Sequence, residues 1–382
     1  MNASPASTQA VTEAEQDVLF RVVNRVAIVT LNRPAALNAL SHAMVRELAV
    51  LLERVRTDDG IVALVLEGAG PKGFCAGGDV RAIYRLAREK AREGANGWQQ
   101  FFVDEYRLDY ALHTFSKPLV ALLDGVTMGG GMGLGQAAAL RVATSRTKIA
   151  MPETRIGLLP DVGATHFLAK MPVEMALYVG LTGAMLSGAD ALHCGLADAC
   201  VPGEWLDGYE ARLLAAQWSG DLHASLREVF VAPCHEADDG ALAAFTPLIV
   251  RHFDRRLRVE QIVAALGADL EREHAQAERA WLEATLEALA HYSPTMLEVT
   301  REALLRGRQM TLAECFRMEL GIVGRAIDEG DFCEGVRAHL VDKDRKPRWA
   351  PATLVEVRTE RVQHFLASPW RGEAHPLADL GA

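Results

Sequence analysis

Three short segments combine residue types that are costly to maintain unless something uses them. Gly73 to Asp79 reads GFCAGGD and follows an apolar run. Its small residues let a ligand approach the main chain and expose N–H groups able to hold an oxyanion. A tight strand-to-helix connection uses the same residues, and a glycine motif this short does not choose between the two. Met128 to Gly133, MGGGMG, places three consecutive glycines where a helix opens. Free N–H groups and the helix dipole favour an anion there, although close helix packing is a competing use. Met151 to Gly163, MPETRIGLLPDVG, sets Glu153 and Asp161 in an otherwise apolar stretch rich in Pro and Gly. A carboxyl in apolar surroundings keeps its proton to higher pH and becomes a useful acid or base near neutrality. The plainer uses are a surface Glu and an Asp that caps a helix.

Other chemistries lack their residues. The chain has no G-x-S-x-G elbow, no H-E-x-x-H and no G-x-x-x-x-G-K-[ST], and the triple-glycine turn is not a well-placed G-x-G-x-x-G with an acid about 20 residues on. Its 12 histidines are dispersed, and His166 reads as structural. No metal and no prosthetic group is expected. The six cysteines show no C-x-x-C spacing, which favours reduced thiols and a cytoplasmic location over a disulfide framework.

The elements that must position these segments follow from periodicity. Val18 to Leu31 is β-rich with a turn at Asn24-Arg25, so it predicts a hairpin. Leu40, Met44, Leu48, Leu52 and Val55 recur at helical spacing, and the helix ends near Asp58-Asp59-Gly60. Ile61 to Leu66 reads as a strand buried on both faces. A helical stretch near 98–113 leads to a strand from Pro118 to Leu123, then a glycine-rich turn and a short helix. This alternation predicts α/β layering. After about residue 205 the strand signal fades. Thr311-Leu-Ala-Glu314 forms a capping box ahead of Phe316, Leu320 and Val323 on one face. Residues 1–15 read as a flexible tail, 16–205 as the catalytic core and 206–382 as a mainly helical region, with a surface loop at Asp238-Asp239-Gly240.

Forty basic against 50 acidic residues give a net charge of −10. Such a chain repels a polyphosphate backbone, so nucleic acid is excluded as the expected partner. No apolar run reaches the roughly 18–20 residues that span a bilayer, so no membrane partner is expected.

Taken in order, these segments and the opening LNRPAALNAL (31–40) resemble the enoyl-CoA hydratase/isomerase (crotonase) superfamily. Within it, GFCAGGDVRAIY, FFVDEYRLDY, GVTMGGGMGLG, AMPETRIGLLPDVGATHFL, YSPTMLEVT and DFCEGVRAHLVDKDRKPRW are similar to blocks of the 3-hydroxyisobutyryl-CoA hydrolases. The resemblance implies a spiral of repeated ββα units with a C-terminal helical extension. It implies hydrolysis of a short 3-hydroxyacyl-CoA thioester in valine catabolism, coenzyme A being part of the substrate, and a homo-oligomer as a possible assembly. It assigns the oxyanion hole to the N–H groups of Gly78 and Gly130, and the catalytic carboxyls to Glu153 and Asp161. Glu105 faces the acyl group, Ala76 and Asp79 lie near the adenine, and Ala36 and Leu37 lie along the CoA chain. Without the resemblance, Glu105 reads as an ordinary helix-surface acid. The hydratases carry a second glutamate two positions after the last glycine of the triple-glycine turn. Here that position is Gly133, which favours hydrolysis over a hydratase or isomerase; the retained glycine pairs, Glu153 and Asp161 speak against the remaining alternative, a non-catalytic acyl-CoA-binding protein. The basic run Lys343-Asp-Arg-Lys346 reads either as a contact for the CoA phosphates or as a solvated turn.

Overall fold

The computed structural model describes residues 16–93, 97–218, 220–232, 240–370 and 374–381. The expected tail and the pair Asp238-Asp239 lie outside the described residues, as does Cys234. The other five cysteines are free.

Strands β1 (Val18–Val23) and β2 (Val26–Leu31) pair antiparallel. Asn24 and Arg25 both take positive φ, 44° and 66°, the two-residue turn whose twist matches the strands it joins. The Ser41 hydroxyl accepts the Met44 N–H at 3.2 Å and so caps α1 (His42–Thr57). Strand β3 (Ala63–Gly68) begins and ends two residues later than its apolar run suggests. Ile61 and Val62 are held in the preceding loop by the carbonyls of Asp58 and Arg25. At the far end Glu67 extends the strand because its carboxylate has donors in Thr30, Arg21 and Tyr209.

From here the chain alternates between two sheets. Strand β4 (Gly73–Cys75) precedes α2 (Val80–Glu93) and α3 (Gly97–His113). Strands β5 (Leu119–Leu123) and β6 (Val126–Met128) lead to α4 (Gly130–Gln136), and β7 (Leu140–Thr144) leads to β8 (Lys148–Ala150). The odd members β3, β5 and β7 join β1, β2 and a later strand, Ala199–Val201, in a six-stranded sheet. The short members β4, β6 and β8 lie parallel and adjacent in a second sheet, closed by an antiparallel strand at Leu186–Ser187. Each turn of the spiral is thus two strands and a helical layer. The second sheet escaped the periodicity reading because three-residue strands are too short to show alternation.

The described strands end at Val201, and helices follow. The Thr311 capping box forms as the sequence predicts and opens the helix Leu312–Asp328. Its residues Phe316, Leu320 and Val323 are fully buried, in the same apolar core as Leu158 and Val162 from the spiral. The helical region therefore shares one core with the sheets. Among the described residues no helix is long and apolar enough to cross a membrane.

One glycine shows how tightly the spiral closes. A methyl group at Gly131 would run into the Cys75 carbonyl oxygen and lie 2.8 Å from Cys75 Cβ. Gly131→Ala must therefore push α4 off β4. We expect a loss of at least about 2 kcal/mol in denaturant unfolding, and unchanged stability would contradict this packing.

Candidate active site

Parallel neighbours in one sheet bring their C-terminal ends together, and ligands bind beyond those ends in open α/β sheets. Strand β4 ends into Ala76, Gly77 and Gly78, β6 into Gly129 and Gly130, and β8 into Glu153. These residues line one cavity of about 330 Å³, at the small end of the roughly 300–1,000 Å³ usual for ligand sites.

The two glycine segments approach as closely as backbone allows. A methyl on Gly130 would sit 3.4 Å from the Gly78 nitrogen, and one on Gly77 would sit 3.4 Å from the Gly130 nitrogen. Gly129 takes φ 48° and ψ −122°, which excludes a side chain for conformational reasons as well. Gly130 heads α4, where N–H groups have no acceptor inside the helix. Among the described residues, no hydrogen bond engages the N–H of Gly78 or of Gly130.

Carboxyls approach the same glycines. Glu153 opens a 3-10 turn (Glu153–Ile156) and is 7 % exposed. Its Oε1 would lie 3.0 Å from a methyl on Gly129, and its Oε2 is buried with no hydrogen-bond partner. Glu105 is 2 % exposed, which corrects its reading as a helix-surface acid. On α3, residues Trp98, Phe102, Glu105, Asp109 and Leu112 are all buried along one face. The acid therefore stands in the apolar stripe rather than opposite it. Its Oε1 would be 2.5 Å from a methyl on Gly130 and has no partner. Buried carboxyl oxygens without a protein partner are uncommon, and these two face the cavity lining where a ligand or water can meet them.

Asp161 is 4 % exposed and lines the same cavity. It does not cap a helix with its side chain. The cap position of the short helix Ala164–Phe167 is Gly163, with no side-chain bond, and the Asp161 carboxylate instead accepts the Tyr106 hydroxyl at 2.6 Å.

Burial dominates the electrostatics. It raises Glu153 and Glu105 well above the ordinary carboxyl range, and the nearby Asp161 raises both further. Asp161 is pushed up to about 6 by burial, with the Tyr106 hydrogen bond pulling it back. The cavity thus holds carboxyls able to give or take a proton near neutral pH.

Of the remaining expected contacts, Ala36, Leu37 and Asp79 lie outside the cavity lining. Ala76 is on its wall, and its N–H donates to the Leu37 carbonyl at 2.9 Å. Leu37 and Ala36 end an outer 3-10 turn, away from the lining. Asp79 accepts the Ala82 N–H at 3.2 Å and lies 3.7 Å from the Arg33 guanidinium. The run 343–346 is an exposed turn in which Asp344 and the neighbouring Asp342 accept from Arg337. Three buried groups escaped the sequence reading: Tyr106, Asp109 and Glu319. For the two acids the available signal was their place in an apolar helical stripe.

A spiral of ββα turns with paired backbone amides and buried carboxyls in one cavity defines the class. Over residues 26–366 the sequence matches the family described as enoyl-CoA hydratase/isomerase, and the chain belongs to that family. It is similar to the zebrafish (Danio rerio) protein named 3-hydroxyisobutyryl-CoA hydrolase, mitochondrial. The two are 37 % identical over 93 % of this chain and 91 % of that protein. It is 36 % identical to the Neurospora crassa small ribosomal subunit protein mS47, over 93 % of this chain and 73 % of that protein. A solved structure described as a carnitinyl-CoA dehydratase from Mycobacterium thermoresistibile superposes with a TM-score of 0.83. It is 37 % identical and covers 95 % of this chain and 99 % of that one.

A stability consequence follows from Asp161. Its folded pKa is raised from 3.8 to about 6, so the contribution of its buried neutral form is complete below about pH 4 and is lost as pH rises through 6. Asp161→Asn cannot ionise and still accepts from Tyr106. We expect it to stabilise the fold by on the order of 2–3 kcal/mol at pH 8 and by little at pH 4. Denaturant melts at both values test this, and an equal gain at each would sink it.

Proposed function

We propose that this chain hydrolyses the thioester of a short 3-hydroxyacyl-CoA of the 3-hydroxyisobutyryl-CoA type, a step of valine degradation. The observation that carries the reading is one cavity that joins the Gly78 and Gly130 amides to the Glu153, Glu105 and Asp161 carboxyls. Water and the thioester become a carboxylic acid and the free thiol of coenzyme A. The two amides take the developing oxyanion, each worth about 3 kcal/mol of barrier. Glu153 activates the water or itself attacks the carbonyl to form an anhydride. Asp161 binds the substrate hydroxyl and assists proton transfer, and Glu105 orients the acyl group. The chemistry draws on no metal or prosthetic group, because amides hold the charge. The zebrafish relative's name supports the reaction. For location, the cysteine pattern fits a reducing compartment, the cytoplasm being the expectation from sequence, while that relative's name points to mitochondria, and fractionation of the native host decides.

The similarity to a carnitinyl-CoA dehydratase favours a second reading, reversible hydration of an enoyl-CoA. Position 133 speaks against it. A methyl there would lie 2.7 Å from Asp109 Oδ2 and 2.8 Å from Val162 Cβ, so no glutamate fits. The name of the Neurospora relative favours a third, non-catalytic reading, against which the intact amide and carboxyl set weighs.

Incubation with 3-hydroxyisobutyryl-CoA and with crotonyl-CoA separates the three. Thiol release from the first alone is expected. Loss of enoyl absorbance without thiol would establish the hydratase instead, and no turnover of either would favour the binding protein. Gly130→Ala brings a methyl against Glu105 and the Gly78 nitrogen, and should lower kcat by on the order of 10²–10³. A single turnover in ¹⁸O-water places label in Glu153 only along the anhydride route.

A further inference from the structure

The chain enters and leaves Asp161 through a backbone that its own residues do not favour. Val162, a β-branched residue, stands at φ 54°, and Gly163 follows at φ 85°. Positive φ at such a side chain is a strained state that persists only where the surroundings over-determine it.

Two buried groups do so here. Glu319, on the helix Leu312–Asp328, is fully buried, and its carboxylate accepts three hydrogen bonds from the residues after the strained position. Gly163 N–H donates to Oε2 at 2.7 Å, while Thr165 N–H and Thr165 hydroxyl donate to Oε1 at 2.9 Å and 2.6 Å. From the opposite side, the fully buried Tyr106 of α3 donates its hydroxyl to Asp161 Oδ2. The turn is thus gripped on its backbone by one helix and at its carboxylate by another.

We propose that Tyr106 and Glu319 are positioning residues for Asp161, Glu319 holding the strained turn that aims its carboxyl into the cavity and Tyr106 fixing that carboxyl and favouring its ionised form. The inference rests on the hydrolase reading of Asp161 given above. The titratable groups facing Asp161 are Glu105, Tyr106 and Asp109 from α3, Glu153 from the 3-10 turn and Glu319 from the far helix. Each is an acid or a phenol. The Tyr106 hydroxyl is the side-chain donor that holds the charge of Asp161, so its removal must drive the carboxyl toward the protonated state.

The test compares the full-length protein with Tyr106→Phe, Glu319→Gln and Asp161→Asn, using 3-hydroxyisobutyryl-CoA and pH profiles of kcat/KM. Tyr106→Phe keeps the ring and loses only the hydroxyl. Its acid limb should move upward by roughly one pH unit, the scale of a hydrogen bond to a charged group. Glu319→Gln retains one acceptor and turns an amide N–H₂ toward a former donor, so the turn loosens. A fall of tenfold or more in kcat with KM within about threefold is expected, and Glu319→Asp should restore part of it. A merely structural role would lower the melting temperature of either variant and leave the acid limb and the kcat-to-KM split unmoved, which overturns the proposal. If Tyr106→Phe does not fold, the kcat-to-KM split of Glu319→Gln decides alone. Full activity in Asp161→Asn would instead overturn the hydrolase reading of that residue, a result separate from failure of the positioning role.

Discussion

The register of three very short strands governs the rest of this molecule. Because β4, β6 and β8 lie parallel and adjacent, their ends deliver Gly78, Gly130 and Glu153 to one place, although long stretches of chain separate them. The strands carry little stability of their own. They are held by the longer sheet, to which the chain returns after each short strand, and by glycines that admit backbone-to-backbone approach. Gly125 has φ 78° and lies against the Lys72–Gly73 peptide, and Gly131 lies against Cys75. A side chain at either would separate layers that the cavity needs in contact.

The same closeness creates an electrostatic problem. Several acids are buried within reach of one another, and no cation hydrogen-bonds Glu105, Glu153 or Asp161 among the described contacts. Charging all of them together in a low-dielectric pocket is prohibitive, so protons stay bound well above the usual carboxylate range. What destabilises the fold at high pH is therefore what supplies groups poised for proton transfer. Asp161 differs from Glu105 and Glu153 in having a hydroxyl donor, and its shift is the most moderate of these three.

Much of this was legible before any coordinates. The hairpin at Asn24-Arg25, the helix read from the spacing of Met44, Leu48, Leu52 and Val55, and the Thr311 capping box each follow from local residue patterns, and each formed. The second sheet did not show, since three residues contain too little pattern. Glu105 illustrates a different limit. Counted alone it is a polar residue on a helix, but counted with Trp98, Phe102 and Leu112 it occupies the buried face, and the same count would have found Asp109. Glu319 likewise follows Phe316 by three residues in a stripe read as purely apolar. Tyr106 carried no signal of its own, because its role depends on Asp161, which comes from a distant turn. Pairings across such separations depend on tertiary packing, which periodicity does not encode.

The cavity roof has one further implication. Phe332, His339 and Leu340 close over residues contributed by the first half of the chain. During synthesis the glycine loops and Glu153 emerge long before their cover does, so the pocket stays open to water until the distal helices dock. Catalytic competence is then a late event in maturation. Lesions at Phe332, His339 or Leu340, remote in sequence from every reacting group, would therefore register in the chemistry of the pocket they line.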